Sequence, residues 1–149
     1  MFQKIVVGTD GSDGATVALN TAIELAQATG AELHVVSAMK APLTGGFVGP
    51  EAMSVIPATP DWSDAARAEL DTILGRASLE AKAHGVQVDV HAEIGSAAEV
   101  ICQVADDVGA DLIVVGSRGM KGGRRFLGSV PNSVSHHAGC SVLIVDTGS

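Results

Sequence analysis

The sequence predicts an α/β fold, a single doubly wound domain in which helices cover both faces of a parallel sheet. Two observations predict this class. Short β-branched runs alternate along the chain with longer segments whose apolar residues recur at helical spacing, which is typical of parallel sheets with right-handed crossovers. The length of 149 residues also fits one domain, which we place at residues 1–149.

Composition excludes several classes of protein. The chain is 46% hydrophobic and 17% charged, which excludes a disordered chain. No stretch approaches the roughly 18 apolar residues of a membrane span, and the N-terminus lacks a signal pattern, so we expect a cytosolic protein without membrane contact. The net charge of −8 argues against general nucleic-acid binding, which needs an extended basic face.

The first half of the chain opens with a strand that is apolar on both faces. Ile5, Val6 and Val7 precede a polar turn at Asp10, and short β-branched runs of this kind are typical of buried strands. An apolar stripe at helical spacing follows, and Gly30 is its expected stop. The predicted elements are a strand at 3–9, a helix from Ser12 or Asp13 to Thr29 and a strand at 32–39.

Residues 40–62 interrupt this alternation. Four of the five prolines of the chain fall there, so we predict a long irregular loop. Loops longer than about 15 residues are uncommon in compact domains and are usually functional lids or disordered segments. Both interpretations stay open for this loop.

The second half of the chain resumes the alternation. Gly85 is the expected stop of one helix, and Ser96 with Glu99 forms a capping box that opens another. Alternating apolar and polar residues at 86–92 predict a half-exposed edge strand. The predicted elements are helices at 63–84, 96–108 and 129–138, and strands at 86–92, 111–115 and 141–146.

The most informative stretch is the glycine-rich loop at 116–130, between a predicted strand and a predicted helix. Five of its fifteen residues are glycine, and it holds four of the nine Lys and Arg residues: Arg118, Lys121, Arg124 and Arg125. Glycine lets the backbone come close to a ligand, and the free amides of a helix N-terminus attract anions. We therefore predict a phosphate-binding loop; the alternative is a flexible surface turn in a glycine-rich chain.

The sequence offers little support for thiol, metal or catalytic sites. Cys102 and Cys140 lie 38 positions apart among apolar neighbours, which favours buried structural thiols over a zinc or redox site. The five histidines show no metal-ligand spacing, so we predict no metal site. The P-loop, the G-x-G-x-x-G fingerprint and the G-x-S-x-G elbow are missing, so we predict no catalytic residues and no efficient catalysis.

Three regions, in this order, resemble the universal stress protein family of the ATP-binding type over nearly the whole chain. They are IVVGTDGS at 5–12, DLIVVGSRG at 111–119, and LGSVPNSV at 127–134 followed by SVLIV at 141–145. ATP-binding members of that family carry G-x-x-G, nine residues, then G-[S/T]. Gly116, Gly119, Gly128 and Ser129 match the pattern, but only eight residues separate Gly119 from Gly128, which departs from it.

The resemblance implies an architecture and an assembly. The sheet would have five parallel strands in the order 3-2-1-4-5, so that strands one and four are neighbours. A homodimer would form by pairing the last strands of two chains, at Cys140 to Val145. Such pairing suits an apolar edge that would otherwise promote aggregation.

The resemblance also implies an adenine-nucleotide site. Thr9 and the Asp10 carboxylate would contact the adenosine, Ala38 and Val115 would offer apolar contact to adenine, and the glycines would lie under ribose and phosphates. Helix N-capping is the alternative role for Asp10 and for Ser129. The residues carried over are Thr9, Asp10, Ala38, Val115, Gly116, Arg118, Gly119, Gly128, Ser129 and Val130.

The function that the resemblance implies is ATP binding, with Mg²⁺ as an optional companion, by a stress-response sensor or regulator in the cytoplasm. Three alternatives stay open. They are a nucleotide-free dimer that acts through protein contacts, a slow ATP hydrolase, and a binder of AMP or cyclic AMP.

Overall fold

A computed structural model of the chain describes residues 1–40, 60–117 and 129–147. The described elements alternate as the sequence predicts. In chain order they are β1 (Lys4–Gly8), α1 (Asp13–Thr29), β2 (Glu32–Met39), α2 (Pro60–Ala83), β3 (Val88–Ile94), α3 (Ala97–Val108), β4 (Leu112–Gly116), α4 (Ser129–His137) and β5 (Ser141–Val145).

The five strands form one parallel sheet in the order β3-β2-β1-β4-β5. This confirms the predicted fold class and strand order. The sheet places β1 and β4 side by side, with Val6 level with Ile113. It also confirms the edge position of β3, where Val90 keeps 45% of its surface exposed.

Helices pack against both faces of the sheet, and each face has its own core. Ile5 and Val7 point to the face covered by α1 and α2, whereas Val6 points to the face covered by α3 and α4. These three side chains are fully buried, because β1 lies in the middle of a sheet that is covered on both sides. The predicted buried central strand is confirmed.

The start of α2 differs from the prediction. The long loop was expected to extend to residue 62, but the helix already begins at Pro60. Proline is favourable in the first turn of a helix, because its fixed φ suits the helix and its missing N–H has no partner there in any case. Pro60 therefore begins the helix instead of prolonging the loop, and residues 41–59 of the predicted loop lie outside the described residues.

The two N-terminal caps behave differently. Ser12 caps α1 as expected, because its side chain accepts a hydrogen bond from the Ala15 amide. Ser96 occupies the cap position of α3 with extended backbone, but its side chain makes no capping hydrogen bond. The predicted capping box at Ser96 and Glu99 is therefore wrong on the serine side, and the amides in the first turn of α3 receive no serine cap.

The two cysteines are less buried than predicted. Cys102 and Cys140 are half-buried free thiols, and both pack against the core under α3 and α4. Burial raises the pKa of both thiols, and the carboxylate of Asp106 adds to the effect. Both thiols are therefore held in the protonated, poorly nucleophilic form at neutral pH.

No helix in the described ranges is both long and apolar enough to cross a membrane.

Candidate functional site

A cleft of about 330 Å³ opens at the carboxyl ends of β1 and β4. In open parallel sheets this end, at the strands where the winding direction reverses, is the usual place for a ligand. The volume is within the range of small-molecule sites. Six of the ten predicted site residues line the cleft: Thr9, Asp10, Ala38, Val115, Gly116 and Val130.

Hydrogen bonds hold Thr9 in a fixed position at the end of β1. Its amide donates to the Val36 carbonyl at 2.9 Å, and its carbonyl accepts from the Ser37 hydroxyl at 2.7 Å. Ser37 is only 1% exposed, so this bond ties the rim of the cleft to the interior of the sheet. The Thr9 hydroxyl in turn accepts from the Gly11 amide at 3.2 Å.

Asp10 is exposed at the rim and shapes the turn into α1. Its Oδ1 accepts a hydrogen bond from the Ser12 amide at 3.0 Å, which is the geometry of an Asx turn. Because Ser12 caps α1, the alternative role of Asp10 as the helix cap is wrong. Gly11 takes a positive φ of 79° in this turn, which a β-carbon would strain.

The inner wall of the cleft is aliphatic. Val36, Ile101 and Val115 line it and are at most 3% exposed, while Ala38 lies at its edge. They belong to β2, α3 and β4, so three elements bring them together from distant parts of the sequence. Such a wall suits a flat apolar group such as a heterocycle.

The N-termini of three helices meet at the cleft. Ser12 and Ala15 of the α1 start, Ala97 of α3, and Val130 and Pro131 of α4 all line it. Helix N-termini carry partial positive charge and unpaired amides, so three of them favour an anion. Pro131 has no N–H, which leaves Ser129 and Val130 as the donors that precede it in α4.

Gly116 lets the backbone pack tightly beside the cleft. A β-carbon on Gly116 would lie 2.8 Å from Thr147 Cγ2, so no larger residue fits without a shift of Thr147. Thr147 is itself held by Ser117, whose Oγ accepts from the Thr147 amide at 3.1 Å. The end of β4 and the chain beyond β5 therefore support each other behind the cleft.

Four predicted site residues remain. Ser129 begins α4. Arg118, Gly119 and Gly128 lie outside the described residues, as do Lys121, Arg124 and Arg125. Among the described residues that line the cleft, Asp10 is the only one with a titratable side chain.

A second cluster of polar side chains was missed by sequence reasoning. Glu32 and His34 of β2 lie beside Asp89 and His91 of β3, because the register pairs His34 with Asp89. Burial, with the His34 ring next, lowers the pKa of His91. The sequence did contain one signal. Glu32 and His34, like Asp89 and His91, are two residues apart within a strand, which puts their side chains on one face. The pairing of the two strands could not be predicted from either segment alone.

Comparison with known proteins agrees with the fold. The model of the universal stress protein family matches residues 1–146. Universal stress protein YxiE of Bacillus subtilis is 36% identical, over 97% of this chain and 99% of its own length. Among solved structures, a universal stress protein in complex with cAMP is 32% identical, with a TM-score of 0.70 and coverage of 99% of this chain and 98% of its own.

A family protein from Arabidopsis thaliana with AMP bound is 21% identical and has a TM-score of 0.69. The two chains overlap over 97% of this protein and 91% of the other. At this identity the likeness concerns the fold alone. Together, the family match along almost the whole chain and the identity to YxiE establish that this chain belongs to the universal stress protein family.

Proposed function

We propose that this protein binds an adenine nucleotide, ATP in the first place, in the cleft at the ends of β1 and β4, and that it acts as a cytoplasmic stress-response sensor or regulator. The observation that carries the proposal is the composition of the cleft. One rim carries a carboxylate, the inner wall is aliphatic, and three helix N-termini face the opening. A nucleotide needs these three features in one place.

Each part of the nucleotide would have its own partners. The Asp10 carboxylate would accept hydrogen bonds from the ribose hydroxyls, since an ionised carboxylate is an acceptor only. Adenine would lie against Ala38 and Val115. Gly116 would let the backbone approach the ribose, and the amides of Ser129 and Val130 would donate to phosphate oxygens. With ATP, Mg²⁺ would be held mainly by phosphate oxygens and water.

Cyclic AMP is the second candidate ligand, because the solved relative at 32% identity carries it. In this proposal Asp10 would distinguish the two candidates. ATP has two free ribose hydroxyls for this carboxylate, whereas cyclic AMP has one, since its 3′ oxygen is esterified. Removing the carboxylate should therefore weaken ATP binding more than cyclic AMP binding.

The test begins with the protein as purified. It is denatured, and the supernatant is separated by anion exchange with mass detection. Recovery of one equivalent of an adenine nucleotide identifies the ligand. The refolded or nucleotide-free protein is then titrated by calorimetry with ATP, ADP, AMP and cyclic AMP. Absence of binding by all four at millimolar concentration would overturn the proposal in favour of a regulator that acts through protein contacts.

Asp10→Asn tests the placement of the ligand. We expect ATP affinity to fall by roughly 10-fold or more, because hydrogen bonds to a charged group contribute about 1.5–3 kcal/mol. Asp71→Asn is the matched control, since Asp71 is an exposed carboxylate on α2, and it should leave affinity unchanged. Equal affinities in the two variants would place the nucleotide elsewhere.

A homodimer through β5 belongs to the same proposal. This strand is at an edge of the sheet, with Leu143 37% exposed, and pairing with a second copy would cover it.

Slow ATP hydrolysis is the alternative activity. It has weak support, because in the described part of the cleft only Asp10 offers a titratable side chain for proton transfer.

A further inference from the structure

The polar cluster on β2 and β3 lies at the end of the sheet opposite the nucleotide cleft. Glu32 is the first residue of β2 and Asp89 the second of β3, whereas the cleft is at the carboxyl ends of the strands. Glu32 and His34 share one face of β2, and the parallel register sets Asp89 directly beside His34. The cluster is therefore separate from the nucleotide cleft.

The side chains converge closely. His34 Nε2 lies 2.6 Å from Glu32 Oε1. Glu32, His34 and Asp89 each offer one potential ligand atom, and the three atoms lie within 4.8 Å of one another. Zinc ligands lie about 2.0–2.2 Å from the ion, so neighbours in a tetrahedral shell are about 3.4 Å apart. Small movements of two carboxylates would reach that spacing.

Burial divides the cluster into a fixed part and an accessible part. His34 is 4% exposed, while the Glu32 side chain is 31% exposed and Asp89 is exposed. A buried imidazole keeps one orientation, and the outer carboxylates leave an entry path and room for water as a fourth ligand. Lys4 is the register partner of Glu32 on β1. Its ammonium group donates a hydrogen bond to the Val108 carbonyl at 3.0 Å.

His91 lies where a metal-bound His34 would need a hydrogen-bond acceptor for its second ring nitrogen. Its Nε2 lies 3.0 Å from His34 Nδ1, the ring nitrogen on the side away from Glu32. A metal-bound histidine nearly always donates its second N–H to an acceptor, which fixes the ring and its tautomer. With Nε2 of His34 on a metal, Nδ1–H would donate to His91 Nε2, so His91 would be a positioning residue.

We propose that Glu32, His34 and Asp89 form a binding site for one zinc ion, with water as the fourth ligand and His91 orienting His34. One imidazole with two carboxylates suits Zn²⁺ better than Mg²⁺, which prefers oxygen ligands alone. The ion would join the starts of β2 and edge strand β3. It would thus stabilise the sheet at its exposed edge.

The test uses the full chain after dialysis against a chelator and then metal-free buffer at pH 7. Zn²⁺ is titrated by calorimetry, and the melting temperature is measured with and without Zn²⁺. We expect one Zn²⁺ per chain, a raised melting temperature and no displacement by millimolar Mg²⁺. His34→Gln and Asp89→Asn should each weaken binding at least about tenfold. Asp89 is exposed, so its variant should fold even if the His34 variant does not.

His84→Gln is the matched control, because His84 directly follows α2 and its Nδ1 lies 3.8 Å from Glu80 Oε1, which makes an exposed histidine–carboxylate pair. It should bind Zn²⁺ as the unchanged protein does. No saturable Zn²⁺ binding, or equal binding by Asp89→Asn and the unchanged protein, would overturn the proposal. Loss of binding in His84→Gln alone would overturn it as well.

Two further variants test the role of His91. His91→Gln keeps an oxygen acceptor for His34 Nδ1–H, whereas His91→Leu removes it. We expect His91→Leu to weaken Zn²⁺ binding by about tenfold and His91→Gln to restore most of the affinity. Equal affinities of the two variants would show that His91 does not position His34.

Discussion

The side chain of Ile101 packs against the backbone of Gly8, so closely that a β-carbon on Gly8 would lie 2.5 Å from Ile101 Cδ1. Gly8 ends β1 and Ile101 belongs to α3, and both line the cleft. This contact brings α3 onto the sheet at the point where we place the nucleotide.

Gly8→Ala tests this contact. The added methyl group would push the Ile101 side chain away, and overpacking of this kind costs about 1–3 kcal/mol. We expect a lower urea midpoint and, because Ile101 lines the cleft, weaker nucleotide binding. Gly75→Ala is the matched control, since nothing lies within 4 Å of a β-carbon there, and it should stabilise α2 by about 0.5–1 kcal/mol. Equal midpoints of the two variants would contradict the packing argument.

Ser37→Ala tests how the rim of the cleft is held. The buried Ser37 hydroxyl donates to the Thr9 carbonyl, so its loss should cost about 1 kcal/mol of folding free energy and loosen Thr9. We expect nucleotide affinity to fall several-fold by calorimetry. Thr72→Ala removes a comparable hydroxyl-to-carbonyl bond on the exposed face of α2 and should leave affinity unchanged. An unaltered affinity in Ser37→Ala would show that Thr9 needs no such anchor.

Asp111 predicts a pH dependence of stability. Partial burial opposes its ionisation, but hydrogen bonds from the Gln3 and Lys4 amides outweigh this and lower the pKa of Asp111. The folded pKa is below that of the unfolded chain, about 3.9, so the stabilisation is fully present above that pH. It is lost as the pH falls through the folded pKa.

Asp111→Asn removes this contribution. We expect a stability loss of no more than about 1 kcal/mol at pH 7, because the carboxylate is only partly buried and solvent screens its interactions. Urea unfolding of both proteins from pH 7 down to about pH 2 should show the difference shrinking below the ordinary aspartate pKa, about 3.9. A difference that stayed constant with pH would mean that the charge of Asp111 is irrelevant.

Leu143→Glu tests the proposed dimer. The new carboxylates would bring like charges to the paired β5 strands of both copies, and like charges oppose such pairing. Light scattering should then report a monomer of 15.0 kDa in place of a dimer. Leu79→Glu is the control, since Leu79 is 72% exposed on α2, far along the chain from β5, and its mass should match that of the unchanged protein. A dimer that persists in Leu143→Glu would exclude β5 as the interface.

The sequence by itself determined the alternation of strands and helices and the class of fold. Apolar spacing and stop glycines are local signals, and they located α1 and β2 to within a residue. Local signals failed at the start of α2 and at the capping hydrogen bond of α3. Pro60 suits a loop or a first turn equally well, and whether the Ser96 side chain caps α3 depends on what surrounds it.

Only the tertiary structure decided which residues meet. Thr9, Ala38 and Val115 were named from a resemblance, but the strand order brings them to one cleft with Ile101, which the sequence did not suggest. The cluster of Glu32, His34 and Asp89 depends on the register of β2 against β3. If β3 were shifted by one residue along β2, the side chain of Asp89 would no longer lie on the same face of the sheet as Glu32 and His34. Pairing of distant strands is a property of the whole sheet, so no local pattern could reveal either group.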